Sequence, residues 1–508
     1  MIDNLNWTAT IVFVGFFALV TIMGFMASRW KAGDLSELHE WGLGGRRFGA
    51  WITWFLLGGD LYTAYTVIAV PAAVYAIGAY GFFAVPYTIL IYPLLFLVFP
   101  RLWNVSRKKG YITGADFVYG RYNNKGLELA IAFTGILATM PYIALQLVGM
   151  EKVIQALGFH GEGLWAHLPL TIAFVILALY TYSSGLRAPA MIAFVKDIMI
   201  YIFVIAAVII IPAKLGGYSA VFQAASKAYE GKTNAGLTLA PAQVWPFISL
   251  AIGSALALFI YPHSMTGILA ASGSKAIRRN AMTLPAYSVV LGLIALMGYM
   301  AHAAGIKVAN PQDAIPQLFL KMFPDWFAGF CFAAIAIGAL VPAAVMSIGA
   351  ANTFTRNVWR PFVNPNMSGS EEAVLAKLMS LIVKVGALVV ILFMPTKFAL
   401  DLQLLGGVWM VQIFPALIFG LYTRWFSGEA LLGGWIAGFG VGTFLSWGPT
   451  AWTPTYVIGG VGIYNGITAL AVNVAVAIIL SLVLRPEEDT SKDAITDADF
   501  LDSAVPAE

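Results

Sequence analysis

An all-α integral membrane protein is predicted by three features: the composition of the chain, the length of its apolar runs and the placing of its basic residues. Of 508 residues, 60% are hydrophobic and only 11% are charged, against roughly a quarter charged in soluble domains. Runs approaching the roughly twenty apolar residues that cross a bilayer begin near Thr8, Ala50, Ala79, Leu127, Leu168, Ala190, Trp245, Ala281, Phe327, Leu378, Asp401, Ala430 and Gly459, which predicts about 13 transmembrane helices. Arginine and lysine gather in alternate loops, with Arg29, Arg46, Arg47, Arg101, Arg107, Lys108, Lys109, Arg121, Arg278, Arg279, Arg356 and Arg360 on one side. The opposite loops hold a few lysines, such as Lys214 and Lys307. Because cytoplasmic loops carry the excess of basic residues, this asymmetry predicts an outside N-terminus and an inside C-terminus.

The same composition excludes several function classes. Cys331 is the single cysteine and lies in an apolar run, so neither a disulfide framework nor a cysteine metal site is available. The net charge of +4 comes from loops between spans and is explained by membrane orientation rather than nucleic-acid binding. Five histidines are scattered along the chain, no phosphate loop is present, and no metal or cofactor is expected, so the chain does not read as an enzyme. Met1 to Trp7 is short and acidic and leads into a full-length span, unlike a cleavable signal. Residues 1–485 read as one transmembrane domain. The polar, acidic stretch 486–508 reads as a disordered cytoplasmic tail. Oligomeric state is left open.

Taken in order, the spans hold one conspicuous interruption. Ala50 to Tyr75 is long enough to cross a bilayer, yet Gly58, Gly59, Asp60, Thr63 and Thr66 lie mid-span and Pro71 follows. A helix facing hydrocarbon would not place paired glycines beside a carboxylate unless something bound there, since freed backbone groups and a buried charge each cost several kcal/mol. Amides freed after Gly58-Gly59, with the Thr63 and Thr66 hydroxyls, are candidates to hold a small anion. Asp60 is the only acid mid-span and a candidate for proton exchange, or else a structural cap. Lys196 and Asp197 are adjacent, so they leave their helix about 100° apart and are not expected to pair simply with one another; Lys196 reads either as a counter-ion or as a snorkelling lysine. Tyr62, Tyr65, Tyr142 and Gln146 offer donors at helix midpoints, and His263 follows Pro262 inside a span. Lys384 reads as snorkelling. Phe327 to Thr353, interrupted by Pro342, is the expected broken partner of Ala50 to Tyr75 if the fold repeats in inverted halves.

These stretches resemble the sodium:solute symporter family. Thr63 to Pro71 matches its Ser-Ala-x-Thr-Phe-Leu-Gly-x-Pro stretch, and Tyr180 to Ala188 its Tyr-x-x-x-Gly-Gly-Leu-x-Ala turn. Tyr142 with Gln146, Tyr261 to Asn280, Phe354 to Trp359 and Phe414 to Phe426 extend the match over nearly the whole chain. Within the family, DLYTAYTVIAVPAAVYA, SGLRAPAMIAFVKD, VPAAVMSIGAANTFTRNVW and LDLQLLGGVWMVQ are most similar to the bacterial monocarboxylate permease branch. The resemblance implies a LeuT-like inverted repeat of five plus five helices with an extra N-terminal helix. It also implies a symporter of the cell membrane taking up lactate, pyruvate and similar short acids, with alanine a further candidate, and it places His263 at an aromatic inner gate.

The cation site departs from the family pattern. Sodium-coupled members complete their site with broken-helix carbonyls, here those of Gly59 and Tyr62, and with two hydroxyl residues whose places fall on Val341 and Pro342. Ser347 restores one hydroxyl only if the alignment is shifted, and Ala193 stands where many members carry Asp. A hard cation wants about five or six oxygens, so the expected coupling ion is a proton, acting through Asp60, Lys196 and Asp197, rather than sodium. The rival expectation is a sodium-coupled symporter of an amino acid such as proline.

Overall fold

In hydrocarbon every backbone N–H and C=O must find its partner within the protein, and a helix does this within one segment. The computed structural model describes residues 5–31, 33–159, 167–393, 399–447, 452–484, 486 and 494–502. Its crossings are helical, and a hairpin, β1 (Thr455–Ile458) with β2 (Val461–Tyr464), accompanies them. The first crossing is α1 (Trp7–Met26). The second is broken into α2 (Ala50–Gly59), a π-helical turn at Tyr65–Ala69, and α3 (Val70–Ile77). There follow α4 (Ala84–Leu97), α5 (Phe99–Lys109), α6 (Gly114–Tyr122), α7 (Lys125–Ala156), α8 (Leu168–Ser184) and α9 (Arg187–Lys214). A second broken crossing comprises α10 (Val244–Leu258) and α11 (Pro262–Leu269). The remainder are α12 (Ser274–Thr283) running into α13 (Pro285–Ala303), then α14 (Asp325–Phe354), α15 (Gly369–Phe393), α16 (Ala399–Met410), α17 (Gly428–Ser446) and α18 (Asn465–Ser481). Among the described residues, nine helices are long and apolar enough to cross a membrane by length and composition.

Burial ranks these helices. The spanning window of α14 is 100% buried and that of α1 only 22%, so α14 is the central post and α1 lies at the lipid-facing rim. Rim helices present large apolar side chains outward, such as Ile209, Val289 and Phe444, as a lipid environment permits.

The two broken crossings correct an expectation. The expected partner of α2–α3 was Phe327 to Thr353, but α14 runs through Pro342 without a break. The actual partner is α10–α11, which opens the second half of the repeat five crossings on. There Phe259 leaves the helix and Tyr261 is extended, with φ −56° and ψ 146°, and Pro262 starts a new helix. Proline pushes the residue before it out of the helical region and is itself pre-set for the first helical position. In α14 Pro342 is carried inside one continuous helix.

Close crossings depend on glycine. At Gly329 in α14 an added Cβ would lie 2.7 Å from the Ala9 Cα of α1, and at Gly349 it would lie 2.7 Å from the His263 nitrogen of α11.

The face carrying the arginines is tied shut. Phe48, just before α2, donates its N–H to Ala270 O (3.3 Å) and accepts from the Ser272 N–H (2.8 Å), joining the ends of the two broken crossings. Arg46 props the junction by donating to Leu269 O (3.1 Å) and to Tyr111 O. Burial, reinforced by Arg107, pushes the Arg46 guanidinium down to about 10, so the prop stays charged at neutral pH. Nearby, Asn357 Nδ2 bridges the buried carboxylates of Asp116 (2.7 Å) and Glu128 (2.8 Å).

The tail expected to lack structure departs from that expectation over residues 494–502. Phe500 is buried beneath the Arg101 guanidinium, 4.9 Å from its ring, and Asp502 accepts from Arg278 (2.8 Å) and Asn104 (2.9 Å). Those donors, Arg278 foremost, hold the Asp502 carboxyl down at about 2. An acidic stretch with apolar anchors thus matches a basic surface, which composition alone does not reveal. Residues 487–493 and 503–508 lie outside the described residues.

Gly329→Leu is expected to lower stability by about 1–3 kcal/mol through overpacking against α1, read as a lower thermal midpoint in detergent. Gly15→Leu, on α1 with nothing within 4 Å of its added Cβ, should leave the midpoint unchanged.

Candidate functional site

The break between α2 and α3 separates two chemistries. Its amides, expected to be free for an anion, are taken up by the chain itself. Asp60 N–H bonds Leu56 O (3.2 Å), and the Leu61 and Tyr62 amides bond Gly58 O (2.9 and 3.2 Å). The Ala64 amide bonds Gln146 Oε1 of α7 (3.0 Å), and that of Tyr65 bonds Thr63 Oγ1 (3.0 Å). Thr66 Oγ1 donates to Leu61 O. Gln146, Thr63 and Thr66 therefore shape the break and have little bonding capacity left for a ligand.

The break leaves carbonyls instead, and these face α9. Lys196 Nζ donates to Gly59 O (2.8 Å) and Tyr62 O (3.2 Å) and lies 2.9 Å from Asp197 Oδ1. Tyr287 of α13 donates to Asp197 Oδ2 (2.6 Å). Lys196 and Asp197 are both completely buried, so Lys196 does not snorkel. The two also pair, contrary to expectation: their Cβ atoms diverge, but the flexible lysine stem curls back until its head reaches the neighbouring carboxylate. Tyr62 belongs to this cluster, with its ring 4.5 Å from that of Tyr287 and its hydroxyl donating to Tyr287 O (3.2 Å). Ser347 does not. Its hydroxyl bends back to Ala344 O (2.8 Å), and the α14 residue opposite Tyr62 O is Gly338.

On the other side of the break lies an aromatic cage. Asp60 is 7% exposed; its Oδ2 accepts from Ser264 of α11 (2.6 Å) and lies 3.4 Å from His263 Nε2. The rings of Tyr142, Tyr261 and His263 are mutually 5.2–5.7 Å apart. Tyr65 and Tyr87 stand together with centroids 6.3 Å apart. Buried atoms without a hydrogen-bond partner here include Asp60 Oδ1, Tyr65 Oη, Tyr261 Oη and His263 Nδ1. Such orphans are uncommon in a packed interior, and a buried water or a bound ligand would satisfy them. From Ala69 outward a cavity of about 280 Å³ opens between α3, Leu404 and the β1 end, with Asp401 and Tyr80 on its wall. The cavity lies on the face opposite the arginines and reaches the break at Ala69.

A model of the family described as "SSF: Sodium:solute symporter family" matches residues 41–438. The chain belongs to the sodium:solute symporter family. It is 60% identical over 489 residues to a Rhizobium johnstonii protein named monocarboxylate transport permease protein, covering 95% of this chain and 98% of that one. It is 34% identical to the uncharacterized symporter YodF of Bacillus subtilis, covering 94% and 93%, and 24% identical to a Haemophilus influenzae sodium/proline symporter, covering 89% and 91%. A solved sodium-coupled sialic acid symporter, described as substrate-bound and outward-open, superposes with a TM-score of 0.77 at 15% identity, covering 95% of this chain and 99% of that one. The symporter is thus a transporter rather than an enzyme, with the LeuT-like fold. Sequence reading brought Asp60, His263, Lys196, Asp197, Tyr65 and Tyr142 to this site but missed Ser264, Tyr261 and Tyr287. Tyr261 and Ser264 stand in the one motif that restarts a helix at Pro262. For Tyr287, no local pattern points across the bundle to Asp197.

Lys384 is buried, with Nζ donating to Ser380 O (3.3 Å). It lies fifteen residues into α15, about 22 Å from that end at 1.5 Å per residue, too deep to snorkel.

Gln146→Leu strands the Ala64 amide and should cost about 1–3 kcal/mol, seen as a lower thermal midpoint, whereas Gln146→Glu keeps the acceptor and should retain most of it.

Proposed function

We propose that this symporter takes up short monocarboxylates such as lactate and pyruvate, driven by a proton gradient. The observation that carries this reading is the cage around Asp60, in which the Tyr65 and Tyr261 hydroxyls and a ring nitrogen of His263 lack partners beside a buried carboxylate. A carboxylate substrate and an ionised Asp60 repel one another strongly at low dielectric, so anion and proton enter together. Protonated Asp60 then donates to the substrate, with the Tyr65 and Tyr261 hydroxyls and His263 as further donors to its carboxylate and 2-oxygen. The name of the Rhizobium relative supports the substrate class. A second reading has its own support: ionised Asp60 would suit the ammonium group of an amino acid, and some relatives are named sodium/proline symporters. In the cell membrane the arginine-rich face is cytoplasmic on the positive-inside rule, so the N-terminus is outside and uptake starts at the cavity.

The test is uptake of labelled L-lactate into proteoliposomes, with an inward proton gradient compared with an inward sodium gradient at matched membrane potential. Proton-driven accumulation is expected, falling in Asp60→Asn to the level of protein-free liposomes. Sodium-driven accumulation would overturn the coupling ion. Uptake of proline or alanine but not lactate would favour the second reading.

A further inference from the structure

We propose that Lys196 is a tethered cation filling the carbonyl cradle of the broken helix, so that no dissociable metal ion is needed there. An ammonium has three N–H donors and no acceptor, and three oxygens meet it: Gly59 O at 2.8 Å, Tyr62 O at 3.2 Å and Asp197 Oδ1 at 2.9 Å. The remaining oxygen of Asp197 is occupied by the Tyr287 hydroxyl at 2.6 Å. The set is closed and charge-balanced. Glycine at position 59 gives the ammonium its approach, because a Cβ there would stand 3.0 Å from Nζ. On α14 the facing residue is Gly338, whose added Cβ would lie 3.8 Å from Tyr62 O, and Val341 and Pro342 bring no side-chain oxygen.

Two consequences follow from this closure. A dissociable cation finds the carbonyls already occupied and must displace a positive charge of equal sign. A chain lacking the lysine stem, by contrast, would keep two carbonyls and a carboxylate around a vacated space, a donor set of the hard oxygen type that monovalent metal cations take with water completing the shell. Removing Lys196 should therefore uncover a sodium site rather than merely destroy a salt bridge. The inference deepens the proton-driven reading above, but it concerns cation binding and is tested without any transported substrate.

The experiment compares thermal unfolding midpoints of detergent-purified protein in sodium chloride and in choline chloride at equal ionic strength. A ligand binding only the folded state raises the midpoint with its concentration. Wild type is expected to unfold at the same temperature in both salts. Lys196→Ala is expected to unfold several degrees lower in choline and to recover several degrees in sodium. Lys196→Met, which refills the space without charge, is expected to show no recovery. A sodium response in Lys196→Ala no larger than that of wild type would overturn the proposal. Should Lys196→Ala not fold, the paired variant Lys196→Met with Asp197→Asn removes both charges at similar volume. It is expected to be insensitive to sodium, and a response exceeding that of wild type would equally overturn the proposal. Failure of lactate uptake alongside the expected salt pattern would remove the substrate reading and leave the tethered cation standing.

Discussion

Everything at the centre of this symporter depends on how one crossing tolerates a break in its backbone. An unpartnered carbonyl or amide in the bilayer interior costs several kcal/mol, and the stretch from Gly58 to Ala69 creates a series of them. Several of them are met by specific neighbours. Gln146 receives the Ala64 amide, Thr63 that of Tyr65, and Lys196 supplies donors to the Gly59 and Tyr62 carbonyls. Three helices are thereby fixed to the break: α7 through Gln146, α9 through Lys196 and Asp197, and α13 through Tyr287. The break is less a flexible hinge than a junction whose partners set the geometry of everything packed on it.

The junction also sorts charge. On the α9 side a positive and a negative charge are buried together, the ammonium bonded to two carbonyls and 2.9 Å from Asp197 Oδ1, an arrangement that holds geometry more than it adds stability. On the cage side Asp60 keeps one bonded and one orphan oxygen, and three aromatic rings carry hydroxyls or ring nitrogens without partners. A satisfied network is rigid and an unsatisfied one is receptive. The same stretch of backbone, Gly58 to Ala69, therefore carries a fixed scaffold on one face and a binding surface on the other.

Much of this was legible in the sequence because its signals are local and strong. The apolar runs gave the crossings, and glycine beside aspartate at mid-span gave the break. The family-like stretches gave the fold. What escaped was long-range. Nothing near Lys196 in sequence says that its ammonium reaches Asp197 and two carbonyls of another helix, since the helical projection describes Cβ directions and not the reach of a four-carbon stem. Pro342 and Pro262 look alike in sequence, yet one is carried within α14 and the other restarts a helix after the extended Tyr261. Acidic composition suggested a tail without structure, but Phe500 and Asp502 find an aromatic-capped, arginine-lined seat that exists only once distant loops are assembled.

The state captured here is held by modest forces. On the arginine-rich face the two broken crossings are joined by the Phe48 pairing with Ala270 and Ser272 and by the Arg46 prop, while at the other face a cavity of about 280 Å³ lies between α3 and Leu250 of α10, beside the Ala79 N–H bond to Gly236 O (2.8 Å). Each neutral hydrogen bond adds only about 0.5–1.5 kcal/mol net, and Arg46 sits at φ 56°, where a non-glycine residue gives back roughly 1–2 kcal/mol. These bonds add to close packing between the same two crossings, where a Cβ added at Gly267 would lie 2.9 Å from Leu57 Cδ2, and Asn280 of α12 donates to Ala50 O at 3.2 Å. The junction at Lys196 and the pairing at Arg46 then divide the labour, one holding the geometry of the break and the other joining the two broken crossings on the arginine-rich face.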